Sequence, residues 1–171
     1  MIDRTLRLLE GISEATGRWV AWCGLAVVLV VFAVVVLRYL FGTGWAWLQE
    51  LYLYLHGAAF MLGAAYTLKR DGHVRIDVAY GRFGRRYRAW VDLFGSLLLL
   101  APVVGWLLYV SLPFVADSWG RLEGSRQSGG LPGVFILKSI IPVTCALLLG
   151  QAAAAALRAV AVLRRRDAEA G

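Results

Sequence analysis

The chain has 171 residues, 60% of them apolar and only 17% charged, with a mean hydropathy of +0.66. A soluble domain carries about 25% charge and 45–50% apolar residues, so a water-soluble fold is excluded. The net charge of +7 flanks apolar runs, where it sets membrane orientation instead of marking a nucleic-acid surface. Cys23 and Cys145 both lie inside such runs, where neither a disulfide framework nor a zinc site fits. The expected fold is an all-α integral membrane protein, a four-transmembrane-helix bundle.

The first apolar run, Trp19 to Leu37, has no charge and is bounded by Arg18 and Arg38. At about 1.5 Å per residue it covers roughly 28 Å, close to the hydrocarbon thickness. It is too long for a signal-peptide core, and no small-x-small cleavage pattern follows it, so it is expected to be retained. In residues 1–18, Leu6, Leu9 and Ile12 alternate with Arg4, Arg7, Glu10 and Glu14. That spacing gives either an amphipathic helix at the interface or an extension of the first span.

The second span is expected over 45–68, interrupted by Glu50 and His56. The third, over 89–115, has Asp92 near its start and contains Pro102, which should kink it. The fourth, over 134–157, carries Lys138 and Pro142, and a basic tail follows over 158–171. Residues 38–44 form a tight turn with two glycines, and residues 116–133 a Gly/Ser-rich connection. Residues 69–88 form a basic connection whose arginines, among them Arg82, Arg85, Arg86 and Arg88, suit lipid phosphates.

Residues 1–18, 69–88 and 158–171 hold 3, 7 and 4 Lys or Arg, together 14; residues 38–44 and 116–133 hold only 1 and 2. The positive-inside rule therefore places both termini in the cytoplasm. Glu50, Asp92 and Lys138 then fall near span ends, where a side chain can snorkel or pair, and only His56 lies near mid-membrane. These positions, with Arg38, read as helix-packing or subunit-contact residues. Glu50 can pair with Lys138 or with Arg38, and the sequence does not choose between them.

A lone histidine within a span cannot supply two axial haem ligands. No metal cluster, nucleophile elbow, P-loop or paired catalytic carboxylates are found, so no enzyme, cofactor or metal is expected. Inverted repeats and broken-helix pairs, the marks of a self-sufficient transporter, are also missing. Ala59–Gly63 and Gly150–Ala154 are small-xxx-small steps that read as internal packing. Six of the seven tryptophans lie near span ends as interfacial belts.

Several motifs appear in a characteristic order. Arg38-Tyr39 with Phe41 is followed by Trp47-x-x-Glu50-Leu51, then Leu62-Gly-Ala-Ala-Tyr-Thr-Leu-Lys-Arg-Asp-Gly-His-Val-Arg-Ile-Asp77, then Arg88-Ala-Trp-Val-Asp92. Together they resemble the small, DctQ-like membrane subunit of TRAP (tripartite ATP-independent periplasmic) transporters over roughly residues 19–157. Gly129-Gly-Leu-Pro132 with Leu137-Lys138 and Ile141-Pro142 resembles a subgroup associated with mannitol, chloroaromatic compounds or 2-oxo acids. The resemblance implies a bacterial inner-membrane subunit that packs on the stationary scaffold of a large membrane subunit. That large subunit carries the sodium and substrate sites, and a periplasmic binding protein delivers an organic acid to it. Membrane lipids are the other expected partner. The competing class is a small autonomous homodimeric multidrug or ion transporter, but such a protein wants a carboxylate deep in a span, and the first span has none.

Overall fold

The computed structural model describes residues 2–70 and 84–167. Among these the fold is all-helical: α1 (Ile2–Phe41), α2 (Ala46–Lys69), α3 (Arg85–Phe94), a π-helical segment (Gly95–Leu100), α4 (Ala101–Gly120) and α5 (Val134–Asp167). Four stretches are long and apolar enough to cross a membrane: Leu6–Phe41, Ala46–Lys69, Arg86–Gly120 and Val134–Arg164. The chain is a multi-pass membrane protein. The turn between α1 and α2 and the loop between α4 and α5 share one end of the bundle, called here the loop end. The start of α1 and the ends of α2 and α5 form the opposite, basic end.

α1 runs without a break through residues 18 and 19, so its 40 residues extend about 60 Å, twice the hydrocarbon thickness. It ends where Gly42 takes φ +64, a left-handed conformation that costs glycine nothing. The third span contains Pro102, which lacks an N–H and whose ring would press on the carbonyl four residues back. The chain meets this with the wide π-helical turn just upstream and continues as helix, so the irregularity expected at Pro102 takes the form of a π segment.

Packing is inverted relative to a soluble protein. α5 lies centrally and touches α1, α2, α3 and α4, and the apolar side chains it buries are small: Cys145, Ala152, Ala154, Ala156 and Ala159. Large apolar side chains point outward, with Leu25, Val28, Leu29 and Phe32 on α1 between 49% and 67% exposed. Lipid tails are as apolar as leucine, so burying leucine gains little and close backbone approach decides which faces meet. A Cβ on Gly63 would sit 3.4 Å from Val20 and one on Gly150 3.4 Å from Leu9, so both small-xxx-small steps serve internal packing.

Gly17 is the tightest of these approaches: a Cβ there would clash with three ring atoms of Tyr66. Gly24, two turns further along the same helix, has nothing within 4 Å. Gly17→Leu should therefore separate α1 from α2 and destabilise the bundle by about 1–3 kcal/mol, read as a lower thermal midpoint in detergent. Gly24→Leu should leave that midpoint unchanged or slightly raised.

Candidate functional site

The described ion pairs and interhelical side-chain hydrogen bonds gather at the two ends of the bundle. At the loop end, Glu50 stands in the second turn of α2 and is 9% exposed. Its carboxylate accepts the backbone N–H of Leu131 at 2.6 Å and the Ser125 hydroxyl. The connection between α4 and α5 thus folds back over the head of α2. Its Gly129 carbonyl accepts the Trp47 N–H at 3.1 Å, one of the donors that a helix N-terminus leaves unpaired. No side chain caps that end, since the N-cap residue is Trp45. Glu50 also lies where the helix dipole favours negative charge.

The loop is internally braced. Ser125 N–H donates to the Leu131 carbonyl at 3.0 Å, Gly130 N–H to the Gln127 carbonyl at 3.0 Å, and Gln127 N–H to Ser125 Oγ at 3.0 Å. Gly129 takes φ +75. A Cβ on Gly130 would stand 2.7 Å from Glu50 Oε2 and still closer to Ser125. The Gly-Gly pair is required by this fit, one residue for its conformation and the other for its lack of volume.

The second carboxylate of the loop end is Glu123. α4 closes in a Schellman turn, with Glu123 N–H donating to the Ser118 carbonyl at 3.0 Å and Leu122 N–H to the Trp119 carbonyl at 3.1 Å. Leu122 supplies the left-handed residue, φ 44, at a cost of about 1–2 kcal/mol for a side chain that is not glycine. The turn aims Glu123 back at its own helix, where Oε2 accepts the Ser118 hydroxyl at 2.7 Å and the Lys138 ammonium from α5. Lys138 Nζ also stands 4.1 Å from the centre of the Phe114 ring, and the Trp119 indole donates to Ser139 Oγ at 2.8 Å. The hydrogen bond from Lys138, and then that from Ser118, hold the Glu123 carboxyl below its ordinary range.

Lys138 is thus committed to Glu123, and the Glu50–Lys138 pair that the sequence allowed does not form. Arg38, the other candidate partner, is exposed and has no ion pair or hydrogen bond among the described residues. Glu50 is satisfied by a hydroxyl and a backbone amide. Glu123 was overlooked because it lies in a connection of mixed polar residues, and only the three-dimensional turn aims it inward.

At the basic end, Glu14 of α1 accepts Lys69 at 2.8 Å and Arg70 at 2.9 Å, and Lys69 also donates to the Glu10 carbonyl at 3.0 Å. Arg158 of α5 reaches the Glu10 carboxylate at 3.2 Å. Beneath these pairs, Gln151 Nε2 donates to Ser13 Oγ at 2.7 Å and to the Leu9 carbonyl at 3.1 Å, tying α5 to α1 in a buried contact. Its Oε1 has no partner among the described residues. These groups were not singled out in the sequence, although Gln151, a polar residue at the head of the alanine run 152–156, was a signal.

The remaining sequence candidates are dispersed. His56 is exposed on α2. Asp92 and Arg88 are half-buried on α3 and Arg86 is exposed, and each of the three is engaged by a neighbour. Arg82, the side chain of Arg85, and residues 71–83 of the basic connection expected over 69–88 lie outside the described residues. Among the described residues, no group of three His, Cys, Asp or Glu is placed to hold a metal ion.

Three substitutions test the loop-end geometry. Gly130→Ala should cost about 1–3 kcal/mol through the clash with Ser125 and Glu50, seen as a lower thermal midpoint. Glu123, with its lowered folded pKa, contributes stability above the ordinary carboxylate range that is lost as pH falls through the lowered value. Acidification should therefore destabilise the wild type more than Glu123→Gln. Lys138→Met should be more harmful than the double change Glu123→Gln with Lys138→Met, because it leaves a half-buried carboxylate without its cation.

A family model described as the DctQ component of tripartite ATP-independent periplasmic transporters matches residues 27–162. No curated protein and no solved structure matches the chain.

Proposed function

The chain belongs to the DctQ component family of the tripartite ATP-independent periplasmic transporters, and from that membership we propose that it is the non-catalytic scaffold subunit of a sodium-coupled secondary transporter. It resides in the bacterial inner membrane with both termini in the cytoplasm. It packs on the stationary part of a large permease subunit and enlarges it, while a periplasmic binding protein delivers an organic acid to the complex. The observation that carries this reading is how the polar groups are used. Glu50, Glu123, Lys138, Glu14, Lys69 and Arg158 all bind other parts of the same chain at the bundle's two ends. A solute path needs polar groups turned towards a cavity near the midplane, whereas these tie helices together. A rigid frame is what a moving permease domain needs beside it.

Liposomes holding this chain alone should show no solute uptake above empty-liposome background, and uptake should appear only when the large subunit and the binding protein are added. Uptake by the chain alone would replace the scaffold reading with that of an autonomous transporter. For orientation, with Cys23 and Cys145 replaced, a cysteine at Ser128 should react in intact cells with an impermeant thiol reagent. One at Gly84 should not, and the reverse pattern would invert the proposed topology.

A further inference from the structure

His56 lies ten residues from the start of α2 and thirteen from its end, about 15 and 20 Å from the two ends at 1.5 Å per residue. Among the described side chains of α2, no other ionisable group combines such depth with such exposure; the comparable group elsewhere in the bundle is the Tyr109 phenol on α4, 70% exposed. The outward face of α2 follows from its contacts. Gly63 and Tyr66 turn to α1, where they meet Val20 and Gly17, while Gly57 and Tyr54 turn to Leu137 and Gly133 around the start of α5. Between these two contact arcs, Leu53, His56 and Phe60 point away from the bundle, with Leu53 54% and Phe60 76% exposed. At 100° per residue the three side chains fall within an arc of about 60°.

Lipid cannot cover this face without cost. Imidazole presents one donor and one acceptor when neutral, and hydrocarbon answers neither. Lysine and arginine at such a depth could carry their charge to the headgroups on a long stem, but the short histidine side chain cannot. The exposed mid-span face of α1, with Leu25, Val28, Leu29 and Phe32, makes no such demand and suits lipid.

Resting on the subunit reading above, we propose that the Leu53–His56–Phe60 face of α2 is the surface that docks against a transmembrane helix of the large permease subunit. His56 makes a mid-membrane hydrogen bond across that interface to a polar side chain or an unpaired carbonyl. Leu53 and Phe60 flank it and exclude lipid. The bond supplies orientation and register to an interface that otherwise has only apolar packing to align it.

The test uses the co-expressed complex in native membranes, with a photoreactive phenylalanine analogue placed in turn at Leu53, His56, Phe60 and, on the third span, Leu98. Adducts with the mass of the large subunit are expected from the first three positions. Adducts to lipid only, adducts to a second copy of this chain, or large-subunit adducts from Leu98 alone would each overturn the proposal. In parallel, His56→Leu should weaken recovery of the complex roughly three- to tenfold while leaving the isolated subunit's thermal midpoint unchanged or raised. His56→Gln, which keeps a donor and an acceptor, should restore most of it. Wild-type recovery of His56→Leu would overturn the inference while leaving the subunit reading intact. Failure of the wild-type chain to co-purify with any large permease would strike the subunit reading itself.

Discussion

A backbone segment that is not helical has to find partners for its amides wherever lipid is near, and the loop between α4 and α5 finds them in Glu50. One carboxylate takes an amide and a hydroxyl from that loop, while the loop returns a carbonyl to the uncapped head of α2. The exchange is reciprocal. α2 gains a cap that no side chain of its own provides, and the loop gains a fixed anchor in place of water. The rest of the loop end follows from this closure. With the loop held against α2, the Schellman turn of α4 is positioned to send Glu123 towards Lys138, and three helices are joined through two acidic side chains.

The two ends of the bundle use different chemistry for the same purpose. At the loop end the bonds run mainly between side chains and irregular backbone. At the basic end they run between charged side chains on three long helices, above the buried Gln151–Ser13 contact. Between the ends the contacts are of small residues, which let helices approach closely while giving little angular preference of their own. Polar bonds at both ends therefore set the alignment that the apolar middle leaves open.

Much of this architecture was legible from the sequence because membrane insertion imposes a coarse rule. Long apolar runs bounded by arginine give spans, and glycine pairs give the turns. What was not legible depended on three-dimensional aim. Lys138 and Glu50 have opposite charges and were close enough on topology alone to invite pairing, but the left-handed conformation of Leu122 turns Glu123 inward and claims the lysine first. Gly17 looked like an ordinary helix glycine because nothing in its neighbourhood names Tyr66, which lies 49 positions away in the sequence. The continuity of α1 was one of two outcomes that an amphipathic pattern ahead of a span permits, and the contacts of Ser13 and Glu14 accompany the continuous one.

The π-helical turn at Gly95–Leu100 carries a consequence for how the third span can vary. Such a turn houses an additional residue per revolution, so the faces of α3 and α4 are offset from those that an unbroken α-helix of the same sequence would present. A single-residue deletion elsewhere in a span rotates everything downstream by about 100° and carries Ser111, Val115 and Ser118 away from the interior. Within this turn the same deletion would shorten the chain by converting the π segment to ordinary helix, with the residues on either side keeping their faces. The third span thus contains one position at which length and orientation are independent.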